Sequence, residues 1–246
     1  MNALIALSMV VAVFLTALLS GIFGMAGGLI LLWILFFLLP VGTAIAVHGV
    51  IQFVSNGSRA WFSRGYIDWR IVGIISVGLV LAALFFLLVS YSPDLAVVSI
   101  VIGLLPILVW IPNSWFALDA SRPHHAVACG LIAGGLSIGV GVSGPTIDIF
   151  FIRTMMDRRV IIATKAAVQV VSHGIKVAFY AGSTLVLTGS EWLAIAVAAP
   201  IAILGTKAGN SILQRLTDAN FRSWTRWIVT AIGVFYFARG IHLLAS

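Results

Sequence analysis

The sequence predicts an all-α polytopic membrane protein, with two inverted-topology repeats and broken or re-entrant helices making up about 8–10 membrane segments. Three observations point there. The first is composition: of 246 residues, 61% are hydrophobic and 9% charged, against about 45–50% apolar and about 25% charged in soluble domains. Mean hydropathy is accordingly high, at +1.16. The second is that apolar stretches follow one another along the whole chain. The third is that the second half repeats the glycine and polar pattern of the first. So much apolar surface cannot be buried in a water-soluble core. A soluble enzyme, a disordered tail and a nucleic-acid module are thereby excluded.

The apolar stretches cover 3–23, 29–39, 43–62, 71–89, 95–111, 126–140, 146–152, 160–181, 191–206 and 224–244. Crossing about 30 Å of hydrocarbon takes about 20 helical residues. The stretches 29–39 and 146–152 are too short for that, and each directly follows a glycine-rich interruption. No charged residue precedes Arg59. A cleaved leader would carry a basic start and a short apolar stretch, so 3–23 is expected to be the first membrane segment itself.

The balance of 14 Lys+Arg against 7 Asp+Glu gives a net charge of +7, which in a membrane protein marks cytoplasmic loops rather than a nucleic-acid partner. Arg64 and Arg70 flank one basic loop, Arg153, Arg158 and Arg159 crowd a second, and Lys207, Arg215, Arg222 and Arg226 fill a third. The turns at 92–94 and 189–191 hold no Lys or Arg. Basic loops inside and bare turns outside form a consistent weave if 126–152 enters the membrane and returns to the same face. The same rule applied to 3–39 places both chain ends outside. The single cysteine, Cys129, cannot form an intrachain disulfide.

An offset of 117 residues aligns the two halves without a gap and gives eleven identities over positions 20–62. They include Ser20/Ser137, Gly24/Gly141, Gly27/Gly144, Gln52/Gln169, Ser55/Ser172 and Gly57/Gly174. The repeats are assigned to 1–120 and 121–246, together one membrane domain. Inverted repeats of secondary transporters place the binding site near the bilayer midplane, at broken helices.

Two features could carry chemistry. The breaks, Gly21 to Gly28 and Gly139 to Pro145, are rich in glycine, and Pro145 suits the first turn of a new helix. Unwound backbone at membrane depth is tolerated where it is buried in protein or lines a cavity. The short helix after each break would then aim free N–H groups and a positive dipole end at that cavity, a setting for anions. Gly27, Gly28, Gly144 and Pro145 are the candidate residues; close helix packing through small residues is the alternative reading. The second feature is a polar stripe. His48, Gln52, Ser55, Asn56 and Arg59 share one helix face, and Lys165, Gln169, Ser172, His173 and Lys176 repeat it. Ionisable groups in the membrane are costly and face a bundle interior or a water-filled path. The central Gln52, Ser55, Asn56, Gln169, Ser172 and His173 are expected to line a ligand. Arg59 and Lys165 are expected near the inner mouth and His48 and Lys176 near the outer, with Arg59, Lys165 and Lys176 attracting anions; snorkelling to the interface is the competing role for these cations.

Asp148 is expected to form a structural ion pair with a nearby cation. His124 and His125 lack further metal-ligand spacing, so no metal site and no cofactor is expected. Trp61, Trp69, Trp115, Trp224 and Trp227 fall near helix ends, as an interfacial belt would. No phosphate-binding loop, nucleophile elbow or zinc-protease motif occurs.

Two halves that each open on a glycine-rich break, in a chain of this length, resemble the TauE/SafE sulfite-exporter family of membrane transporters. The resemblance covers nearly the whole chain and is carried by Gly24-Met-Ala-Gly27-Gly28 and Gly141-Val-Ser-Gly144-Pro145. Ala26, Ser143 and Pro145 depart from the more glycine-rich breaks of the family. Trp33-Ile34 and Ile149-Phe150 stand where the family often has a proline. The resemblance implies a substrate among sulfite, sulfonates and other small sulfur-containing or organic anions.

The expected function is therefore secondary transport of such an anion by alternating access, in a multi-pass protein of the inner or plasma membrane. The lipid bilayer and the small anion are the expected partners, with room for coupling to protons or Na+ and for a homodimer. A passive anion channel is the first alternative. A membrane-embedded enzyme or assembly factor is the second; it would need a partner for His173 or for His124 and His125, and only Asp148 is of a suitable type.

Overall fold

The computed structural model describes residues 3–23, 26–112, 118–151, 154–183, 189–213 and 218–245, and among them every regular element is helical. The first half contains α1 (Ala3–Phe23), α2 (Ala26–Leu38), α3 (Val41–Phe62), α4 (Trp69–Leu88), α5 (Leu95–Leu104) and the short α6 (Ile107–Trp110). The second contains α7 (Pro123–Gly139), α8 (Gly144–Phe151), α9 (Arg158–Ser183), α10 (Gly189–Leu213) and α11 (Asp218–Ala245). Trp69–Leu88, Arg158–Gly182, Ile195–Ile212 and Arg226–Ala245 are long and apolar enough to cross a bilayer. The chain is an all-α polytopic membrane protein.

Local signals explain where the helices begin and end. The Asp68 and Asp94 carboxylates accept from the N–H groups of Ile71 and Val97 and cap α4 and α5. Pro123 stands in the first turn of α7, where its missing N–H costs nothing. The stretch 95–111, expected as one segment, is two helices: α5 stops at Leu104 and α6 restarts after Pro106, whose ring cannot supply the hydrogen bond a continuous helix needs. Pro200 by contrast lies inside α10.

The helices pack in a small number of long pairs. α1 lies along α10, α4 along α7, α3 along α9 and α5 along α11, while α3 also meets α10 and α4 also meets α9. Exchanging α1 for α7, α3 for α9, α4 for α10 and α5 for α11 leaves this set of pairs unchanged. Glycine permits the close approach. A methyl group on Gly21 would sit 2.7 Å from the Thr206 carbonyl oxygen of α10, and one on Gly78 would sit 2.6 Å from the Leu131 nitrogen of α7. Lipid gives helices no hydrophobic reason to associate, so backbone proximity of this kind is what holds such pairs. Trp61, Trp69, Trp224 and Trp227 are exposed, as an interfacial belt requires; Trp115 lies outside the described residues.

Candidate functional site

The break in the second half is short. α7 ends at Gly139, α8 begins at Gly144, and Gly141 between them has φ +88°. Only glycine holds that conformation without strain, and a Cβ there would also sit 2.9 Å from Leu32 Cδ2. Three carbonyls at the end of α7 and in the break find side-chain donors: Tyr180 Oη donates to Ile138 O at 2.7 Å, Tyr91 Oη to Gly139 O at 2.8 Å and Lys176 Nζ to Gly141 O at 2.8 Å. Side chains thus stand in for the lost helical partners, as unwound backbone in a membrane requires. In the first half Gly24 and Met25 lie outside the described residues. Gly27 and Gly28 stand in the first turn of α2, the helix end after the break, as Gly144 and Pro145 stand in the first turn of α8.

The two polar stripes face each other across α3 and α9, and between them lies a cavity of about 210 Å3. That is several times the ~30 Å3 share of one water molecule. Gly28, His48, Gln52, Asn56 and Arg59 line it from the first half, and Gly144, Pro145, Lys165, Gln169 and His173 from the second. The N-terminal end of α8 thus borders the cavity with its positive dipole end. Arg59 Nη2 donates to Ser20 O at 3.0 Å, and Asn56 Nδ2 to Gln52 O at 3.0 Å. Lys165 forms an ion pair with Asp148, the pairing anticipated for that carboxylate. Exposed Arg158, Ile162 and Asn210 mark the open mouth, at the face that carries the basic loops. His173 lines the cavity, and its Nδ1, shielded from that space, makes no hydrogen bond within the protein.

Not every expected residue reaches this cavity. Ser55 donates to or accepts from Thr206 of α10 at 2.7 Å, and Ser172 is buried away from the cavity without a partner for its hydroxyl. The geometry of a helix explains both. At about 100° per residue, the serine lies about 60° back from the glutamine of its stripe while the residue after it lies about 40° forward. Each serine is thus the edge that faces a neighbouring helix. Gly27 also faces a helix, since a Cβ there would sit 2.5 Å from the Ser20 nitrogen of α1. Lys176, expected at an outer mouth, is 0% exposed and lies behind the cavity wall. It bonds Gly141 O and sits 3.1 Å from His48 Nδ1. His48 likewise is buried, its Nε2 3.1 Å from Gly28 O.

Arg158 and Asn210 were not anticipated. Arg158 reads in the sequence as one of three charges of a basic loop, and Asn210 lies beyond the stretch that the repeat aligns. The histidine pair lies elsewhere: His125 Nδ1 accepts from the Asp119 N–H at 3.2 Å. Among the described residues no group of three His, Cys, Asp or Glu could hold a metal ion.

Comparison with known proteins agrees with this architecture. The family described as "Sulfite exporter TauE/SafE" matches residues 9–236. No curated protein and no solved structure matches the chain.

Proposed function

The chain belongs to the sulfite exporter TauE/SafE family, and from that premise we propose that it is a secondary transporter of a small sulfur-containing or organic oxyanion. The observation that carries this is a cavity walled by Arg59, Arg158, Lys165, His173 and the start of α8. Cationic and imidazole groups at such a wall give the oxygens of an oxyanion charge-assisted hydrogen bonds. Asp148, the one acid on that wall, is already matched by Lys165, so the remaining field is positive. The amides of Gln52 and Gln169 then offer the directional hydrogen bonds that oxygens of a sulfite or sulfonate accept.

The exchange symmetry of the helix pairs supports two repeats, 1–120 and 121–246, and the placement of the basic loops supports an inverted topology for them. Under the positive-inside rule the open mouth faces the cytoplasm, and the protein resides in the inner or plasma membrane. Alternating access follows if the halves rock about the α3–α9 contact and close that mouth while opening the other side.

The test is thermal unfolding of the purified protein with sulfite, thiosulfate, an alkyl sulfonate and a carboxylate. A ligand confined to the folded state stabilises by RT ln(1 + [L]/Kd), about 2.7 kcal/mol at a hundredfold excess over Kd. Sulfur oxyanions are expected to raise the midpoint and the carboxylate to do so less. No shift with any of them removes the assignment. Accumulation against a gradient in proteoliposomes separates the transporter from a channel.

A further inference from the structure

We propose that the contact between Lys176 and His48 is the proton-coupling site of this transporter, taking up one proton together with the anion. The proposal rests on the transport reading above and adds the coupled ion.

Hydrogen counting shows why the contact is a proton site. The Gly28 carbonyl can only accept, and its partner is His48 Nε2 at 3.1 Å, so that nitrogen carries a hydrogen. The Gly141 carbonyl likewise accepts from Lys176 Nζ at 2.8 Å. Across the 3.1 Å between Lys176 Nζ and His48 Nδ1, one hydrogen must then be shared. Either the ammonium donates to a neutral imidazole, or an imidazolium donates to a neutral amine. Both arrangements hold a single positive charge, and a neutral amine, whose two hydrogens also serve both acceptors, holds none, so the closed contact carries at most one. A second proton sets donor against donor, and the contact must open.

The same contact ties the two halves together. The chain runs from Gly141 in the second break, through Lys176 of α9 and His48 of α3, to Gly28 of α2. Opening its middle link removes the polar tie between α2 and the 140–143 break, behind the closed end of the cavity. Uptake of a proton by the singly charged contact and rearrangement of the sealed side are thus one event.

The surroundings require an anion for that event. The titratable groups nearest His48 are Lys176 and His173, whose ring centroid is 5.8 Å from that of His48. α2 and the break face the pair with the Gly28 and Gly141 carbonyls, and Gln52 Nε2 lies 3.5 Å from His48 Nε2. Further along the wall stand Arg59, Arg158 and Lys165, and Asp148 is taken by Lys165. Among the described residues that line the cavity no further acid offsets a second charge, and His48 and His173 both line it. Anion and proton each favour the binding of the other, by a factor that linkage makes equal in both directions.

The experiment is a titration of purified protein in weakly buffered solution with a pH indicator. Thiosulfate and ethanesulfonate serve as probes, because their own charge is fixed across about pH 5 to 8, the range in which a histidine switches. The expected result is uptake approaching one proton per bound anion, with affinity falling by up to about tenfold for each pH unit raised. Lys176→Met and His48→Gln should each abolish that uptake. The second keeps an amide that can donate to Gly28 O and accept from Lys176, so it preserves the tie if the first does not fold. The wild-type titration decides even without the variants. Anion binding with no proton uptake overturns the coupling site and leaves the transport reading intact. Uptake that survives in both variants also overturns it, and assigns the proton to another group such as His173. Failure of every probe to bind overturns the transport reading and this proposal with it.

Discussion

Gln52 and Gln169 occupy matching places on α3 and α9, one turn after His48 and Lys165 respectively, and both line the cavity. Their neutral amides contribute geometry rather than charge, so their loss should spare the fold while removing directional contacts to the anion. Replacing both by Ala is expected to abolish transport with the unfolding midpoint little changed, read by uptake into proteoliposomes alongside thermal unfolding. Full transport by the folded double variant would sink their role. Gly28 offers a sharper version of the same test. A Cβ at that position would run into the Gln52 amide, a flexible end that can swing aside, so Gly28→Ala should fold yet weaken anion binding. A hydrogen bond to a charged partner contributes about 1.5–3 kcal/mol, which corresponds to roughly a tenfold to hundredfold rise in Kd. Unchanged affinity in the folded variant would show that Gln52 does not touch the anion.

At the scale of an element, the helix pairs rest on glycines that meet backbone. Gly130 faces α4, where a Cβ would sit 2.9 Å from both the Gly78 Cα and the Leu79 nitrogen, and neither can move without the whole helix. Gly130→Val should force α4 and α7 apart and lower the unfolding midpoint, at a cost of about 1–3 kcal/mol or more, as overpacking does. Gly73, on the same α4, has nothing within 4 Å of the equivalent position. Gly73→Ala should therefore hold or raise the midpoint, since alanine favours a helix by up to about 1 kcal/mol. Equal destabilisation by both would mean that the contact is not what Gly130 serves. Elements of this kind were largely legible in the sequence, because apolar length and flanking polar residues fix where a membrane helix lies: α1 spans 3–23 as expected. The break at Gly141 was legible too, from its glycines and from Pro145. What stayed hidden depends on neighbours. The repeat set Ser55 and Ser172 beside the glutamines, but only the position of α10 shows that Ser55 bonds Thr206. Periodicity placed Lys176 on the polar face and could not tell a mouth from an interior, since the carbonyl of Gly141 that draws it inward is 35 residues away.

At the scale of the molecule, alternating access makes a prediction that neither a channel nor a static binding protein shares. The cavity opens beside Asn210, which is exposed, while Gly139 is buried at the far end of α7, its carbonyl bonded by Tyr91. A cysteine at either place reports which side is open. The one native cysteine, Cys129, is buried and unpaired, so the background reaction with a membrane-impermeant thiol reagent should be low. Asn210→Cys removes a side chain already in contact with water. A Cβ at Gly139 would rest at ordinary contact distance, 3.4 Å from Phe86 Cζ, so Gly139→Cys is expected to fold. Without anion, Asn210→Cys should react from the face of the basic loops and Gly139→Cys should be protected from both. If the anion shifts the halves toward the opposite state, it does so by binding that state more tightly. A transported anion should then slow labelling at position 210 and speed it at position 139, from the opposite face. A channel would expose both positions at once, and a binding protein without a second state would protect 210 and leave 139 unchanged. Reciprocal rates under one ligand are the signature that only rocking halves produce.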